Sequence, residues 1–252
     1  MTKSKVRSPY LGDCQGAVSL TFDDGLPSQL DRAVPLLEQY GLSATFYLAP
    51  RGNDWERRLA PWREVARAGH ELGNHTTKHI CSRAFADSLD GKSLENCTLE
   101  EMEVDIVLGK ERIQQLAPDQ AEMSFAYPCY STYIGEDASR QSYVPLVAKH
   151  HIAGRAGFLE AANHPLTANL ACLSTWNGER SWGPTLVGLA ERAATRGRWS
   201  IFTFHGIDEG HLAINDVDFE ELCRHLQLHS DRIWVAPVSQ VARRILDWRS
   251  EQ

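Results

Sequence analysis

The sequence predicts an α/β fold: a single domain in which seven or eight parallel strands, separated by helices, form a closed or nearly closed β/α barrel. Short apolar runs alternate with amphipathic segments along the chain, a pattern that calls for parallel strands joined by helical crossovers. The rival architecture, an open doubly wound sheet, would carry a G-x-G-x-x-G turn after its first strand, and the sequence has none there. At 252 residues the chain has the length of one such barrel, with no linker or low-complexity stretch; the core is placed at about residues 18–247.

The elements follow in order. VSLTF is the first strand, broken at Gly25, and SQLDRAVPLLEQYG is a helix that stops at Gly41, with Pro35 marking an irregular first turn. SATFYLAP is a strand, PWREVARAGH a helix opened by Pro61 and closed by Gly69, and HELGNH a third strand. Ser82 to Asn96, rich in Ser and Asp, reads as an inserted loop. Thr98 and Glu101 make a capping box for the longest helix, EMEVDIVLGKERIQQLA. MSFAYP is a strand, YVPLVAKHH a helix, IAGRAGF a strand and NLACLSTW a weaker one. PTLVGLAERAATRG leads as a helix into the strand WSIFTFH, and FEELCRHLQLHS, IWVAP and SQVARRILDW finish as helix, strand, helix.

Bulk properties narrow the function. A net charge of −7 argues against nucleic acid as a partner, since phosphate binding needs clustered positive charge. No run approaches the length of a membrane span. The basic N-terminus lacks a following apolar stretch, so no secretory signal is expected. Cys14, Cys81, Cys97, Cys129, Cys172 and Cys223 are scattered without a C-x-x-C pair and read as reduced thiols. Both points suggest a cytoplasmic protein, a secreted chain already cut from its leader being the other reading. Oligomeric state is left open.

The first strand ends on two adjacent carboxylates, Asp23 and Asp24. Asp followed by Gly is ordinary turn chemistry, but two ionised groups at the end of a buried strand repel unless a positive charge compensates. In a barrel the functional side chains gather at the C-terminal ends of strands. Those ends carry Asp23 and Asp24, His75 with His79, the Tyr127-Pro128-Cys129 turn, Arg155, Trp176 and His205. His75 and His79 have the spacing of two ligands on one turn. With one aspartate they make a set of two imidazoles and a carboxylate with open positions, suited to a catalytic metal, and the other aspartate stays free as a base.

In order and spacing, TFDDG, NHTTKH, the Tyr-Pro after a strand and FTFHG resemble the motifs of the polysaccharide deacetylases, carbohydrate esterase family four with its NodB homology domain. The resemblance runs from about Val18 to the C-terminal helix and implies a distorted β/α barrel. It implies Asp23 as general base, Asp24 as metal ligand with His75 and His79, and His205 as general acid. The Cys129 backbone N–H matches the position that helps hold the oxyanion, and Trp176 would line the acetyl-group pocket. The implied cofactor is one divalent cation, Zn2+ first, with Co2+, Ni2+ or Mn2+ as alternatives. The implied reaction is hydrolysis of an acetyl group from a carbohydrate, an N-acetyl amino sugar ahead of an O-acetyl ester. An amidohydrolase acting on a small cyclic amide or imide, and a non-catalytic carbohydrate-binding domain, are the competing readings.

The chain also departs from the family pattern. Many members have an arginine two residues before the motif's proline, oriented on the base; here that residue is Ala126, and Arg155 is the candidate to reach the same carboxylate. Cys129 stands where a tyrosine is usual, leaving Tyr130 beside it as a substrate-binding candidate. Glu179 and Asp208 are candidates to pair with His205. Tyr130, Tyr133, Trp176 and Trp182 could stack on sugar rings or be part of the core. Cys81 and Cys129 read as packing thiols, and His150, His151 and His164 as helix-end histidines instead of a second metal cluster.

Overall fold

Gly16–Asp23 (β1) is buried at every residue, as a strand is when helices cover one face and a barrel interior the other. The computed structural model describes residues 8–85, 91–157 and 159–252. The N-terminal residues 1–7 and the middle of the expected 82–96 loop lie outside the described residues. The other strands of the barrel sheet are β2 (Thr45–Leu48), β3 (Glu71–Asn74), β4 (Ser124–Ala126), β5 (Ala153–Arg155), β6 (Trp176–Asn177), β7 (Trp199–Phe204) and β8 (Ile233–Val235). All pair in parallel in one sheet, in the order β5-β4-β3-β2-β1-β7-β6, with β8 added to β1.

The segment leading into β6 closes the ring. Leu173 bridges to Arg155 of β5, while Trp176 and Asn177 pair with Phe202 and Thr203 of β7. On the edge of β1 away from β7, β8 takes Gly16 to Val18 and β2 takes Thr21 to Asp23. Two strands sharing one edge, together with the two-residue β6, distort the barrel from the regular form.

The helices are α1 (Val34–Gln39), α2 (Trp55–Leu59), α3 (Trp62–Arg67), α4 (Leu99–Leu116), α5 (Val144–His150), α6 (Gly183–Thr195), α7 (Asp216–Leu228) and α8 (Val238–Ser250). The irregular start expected around Pro35 is a π-turn over Gln29–Ala33, with Pro35 in the first turn of α1. The capping box is formed: Thr98 Oγ1 accepts from the Glu101 N–H, and the Glu101 carboxylate accepts from the Thr98 N–H. Among the described residues no helix is long and apolar enough to cross a membrane.

Strand alternation divides the side chains. Val18, Leu20 and Phe22 join Phe46, Phe202, Phe204 and residues of α6 and α7 in the main apolar core. The opposite faces fill the barrel with polar groups. Buried Glu71 accepts from Thr45 Oγ1 at 2.9 Å, Ser124 N at 2.7 Å and Ser239 N at 2.9 Å. Without such partners a buried carboxylate would cost several kcal/mol.

Candidate active site

Asp23 is the last residue of β1, and Asp24 turns away with φ 73°. That left-handed turn separates the two carboxylates: Asp23 is 3% exposed, whereas the Asp24 side chain is 32% exposed. Buried Arg155 at the end of β5 donates from Nη2 to both Asp23 oxygens at 2.6 Å and from Nη1 to Thr203 Oγ1 at 2.9 Å. Its guanidinium also lies over the Tyr47 and Tyr130 rings, 5.1 and 5.7 Å from their centroids. Ala126 and Arg155 are register partners across β4 and β5, so the small residue sits directly beside the strand position from which the arginine projects. Burial alone would raise the Asp23 carboxyl, but Arg155, with His75 and His205 behind it, outweighs this and holds it below the ordinary carboxylate range.

His75 and His79 follow β3 on a turn with φ 59° at Thr76 and 52° at His79. The chain fixes this strained turn from two sides. Asn74 Oδ1 accepts from Thr76 N, and Asp105 of α4, 2% exposed, accepts from the N–H and hydroxyl of Thr77 and from Lys78 N. Gly109 makes room for Asn74, since a Cβ there would lie 2.4 Å from Asn74 Oδ1. Sequence reasoning missed Asp105; its signal was a carboxylate within the buried stripe of Met102, Ile106, Gly109 and Ile113.

His75 Nδ1 is 2.8 Å from the Ala126 carbonyl, which it can reach as donor, leaving Nε2 as a lone pair facing His79 Nε2 at 3.1 Å. Asp24 Oδ1 lies 3.8 Å from His75 Nε2 and 3.5 Å from His79 Nε2. Burial is the main reason both imidazoles titrate low, His79 at about 4, so they are neutral at pH 7, as ligands must be. The converging Asp24, His75 and His79 atoms fit a divalent transition-metal ion.

His205 follows β7, with Nε2 4.0 Å from Asp24 Oδ2 and Nδ1 3.0 Å from Glu179 Oε1. Burial pulls its pKa down, but the carboxylates of Glu179, Asp23 and Asp24 together raise it. Asp208, the other candidate partner, pairs with Arg32 instead. Gln29 of the π-turn donates to the carbonyls of Asp23 and His205, tying the ends of β1 and β7 together.

Two expectations need correction. Cys81 and Cys129 form a disulfide and are not packing thiols, so the cysteine-based ground for a reducing compartment does not hold for this pair. The bond joins the chain just after His79 to the turn where Cys129 and Tyr130 take φ 49° and 58°; their separation of 48 residues gave no sequence signal. Trp176 is not brought to the site. Thr175 points inward to Thr203, so alternation turns Trp176 outward, against the main core and Ser200. Tyr130 does reach the mouth, where its buried hydroxyl has no hydrogen-bond partner among the described residues. Tyr133 and Trp182 are exposed, while His150 pairs with Glu103 and His151 contacts Asn74.

The family pattern described as polysaccharide deacetylase matches residues 12–143, just over half of the 252 residues. The chain belongs to the polysaccharide deacetylase family. A peptidoglycan-N-acetylglucosamine deacetylase of Bacillus cereus is 34% identical over 84 residues, 33% of this chain and 37% of that relative. The match thus spans little more than a third of the relative's length. Among solved structures, a Mycobacterium smegmatis protein assigned as a polysaccharide deacetylase superposes with a TM-score of 0.64 at 14% identity, over 94% of this chain and 92% of that one. A peptidoglycan deacetylase of Bacillus subtilis gives 0.56 at 16% identity, over 96% of either chain. At these identities the structural likeness is one of fold. Arg155, Glu179 and His205 all lie beyond the stretch the family pattern matches.

Proposed function

We propose that this deacetylase-family chain is a metal-dependent hydrolase that removes the acetyl group from an N-acetyl amino sugar of an oligo- or polysaccharide. The observation that carries the reading is Asp23: beside a complete Asp24-His75-His79 set stands a second, buried carboxylate kept ionised by Arg155. Carbohydrate binding alone needs no such group. The Bacillus cereus relative, named for peptidoglycan N-acetylglucosamine, favours the amide over the ester.

Asp24, His75 and His79 would hold the cation, with Zn2+ the expected ion. When bound, it supplies Lewis acidity toward the acetyl carbonyl and the attacking water. Asp23 takes the proton from that water as it attacks the carbonyl carbon. The Cys129 N–H, on the turn after β4, donates to the developing oxyanion. His205, kept protonated by Glu179, gives its proton to the departing amine as the C–N bond breaks. Tyr130, its ring beside the Arg155 guanidinium, lines the mouth as a candidate contact for the sugar.

The test is acetate release from acetylated chito-oligosaccharides, peptidoglycan fragments and acetylated xylan, using metal-stripped and Zn2+-reloaded protein. Release from an N-acetylated glycan only after reloading is expected. Full activity of stripped protein, or no acetate from any glycan, would overturn the reading.

A further inference from the structure

The spacing H-x-x-x-H occurs twice in this chain, at His75 and His79 and again at His225 and His229. The second pair lies at the C-terminal end of α7, whose 13 residues run about 20 Å, whereas the first lies on the turn after β3 at the barrel mouth. His229 accepts a backbone bond from Ile233, the first residue of β8, which places it at the barrel's bottom.

The geometry points to a second site for a divalent transition-metal ion, held by Glu191, His225 and His229. His225 lies in the last turn of α7 and His229 is its C-cap residue, and the two imidazoles converge with ring centroids 4.3 Å apart. Glu191 of α6 comes to the same spot, with Oε1 2.7 Å from His225 Nε2. One ligand atom from each residue lies within 4.8 Å of the others, and all three side chains are half-buried, reachable from solvent yet partly ordered by packing. Two imidazoles and one carboxylate suit Zn2+, Ni2+ or Cu2+; Mg2+ and Ca2+ prefer oxygen ligands throughout.

Arg232 also reaches Glu191 Oε1. In the ion-free protein it holds the carboxylate toward the histidines, and it competes with an incoming cation for the same charge. Binding therefore replaces the proton shared between His225 and Glu191 and loosens the Arg232 pair. It exchanges a hydrogen bond for a metal strap between α6 and α7. With its arginine on the ligand carboxylate itself, this site is a structural tie and not a second reaction centre.

Zn2+ titration of the whole protein, by calorimetry and by metal analysis after desalting, tests the assignment. Wild-type protein should take up one ion more than His229→Ala or His225→Ala, whatever number the barrel mouth holds. Arg232→Gln should tighten that extra ion about two- to fivefold, the size of a released surface ion pair, a gain that misfolding cannot mimic. Equal uptake by wild-type and His229→Ala protein, or weaker binding in Arg232→Gln, would overturn the site.

Discussion

The two histidine pairs have one spacing and opposite settings. At the end of α7, His225 in the last turn and His229 at the C-cap need no left-handed backbone, the cap residue having φ −116°. At the barrel mouth, His75 and His79 sit on a turn that enters the left-handed region twice, each such residue costing about 1–3 kcal/mol. Asn74 and Asp105 hold that turn in place. The carboxylates differ as well. Glu191 is both candidate ligand and partner of Arg232, whereas at the mouth the arginine grips Asp23 and leaves Asp24 to the histidines. Ligand spacing therefore finds places where a cation can sit. A strained turn beside a second, separately paired carboxylate marks the place where it can also do chemistry.

The sharpest way to break the comparison is Asp23→Asn. The amide has nearly the same shape but cannot take a proton, so turnover should fall on the order of 10²- to 10⁴-fold while Zn2+ uptake at the mouth is unchanged. Acetate-release rates beside metal analysis read both quantities; wild-type turnover would show that Asp23 is not the base.

Arg155→Ala comes next, with turnover expected to fall on the order of 10- to 100-fold through loss of the base's position. The sign of its pH effect follows from the balance at Asp23: burial raises the carboxyl, Arg155 lowers it, and the second influence wins in the wild-type protein. Without Arg155 the base holds its proton to higher pH, so the acidic limb of the rate profile moves upward. Arg155→Lys, which keeps the charge but not the fork, should recover part of the rate. An unmoved limb would remove Arg155 from the mechanism. The smallest effect belongs to the outer cluster: His229→Ala should leave acetate release unchanged, and a marked loss would mean that the two regions are coupled.

Much of the barrel was legible because short stretches of apolar residues interleaved with Ser and Thr, as in β1 and β7, recur between amphipathic segments, and because Gly41, Gly69 and the Thr98–Glu101 box punctuate the helices. The two-residue β6 was harder: its pairing depends on the neighbours β5 and β7 more than on its own residues. For the same reason Trp176 was assigned to the wrong face, since an error of one residue in a short strand turns a side chain around. The mouth residues Asp23, Asp24, His75 and His79 could be read because each ends or follows a strand. Asp105 could not, being a support whose contacts run from a helix to a loop, and neither could the cross-link between Cys81 and Cys129.

The pairing of Ala126 with Arg155 across β4 and β5 bears on how such chains are compared. Aligned by motif, Ala126 looks like a loss and Arg155 like noise 29 positions away. On the sheet they are adjacent columns of one row, and a guanidinium displaced sideways by one column still arrives at the same carboxylate. A function scored by whether letters match in a column would be marked as decayed here. Scored by what occupies the volume beside the first strand's terminal aspartate, the guanidinium is present, and other chains of this family without an arginine before the motif's proline invite the same inspection one strand over.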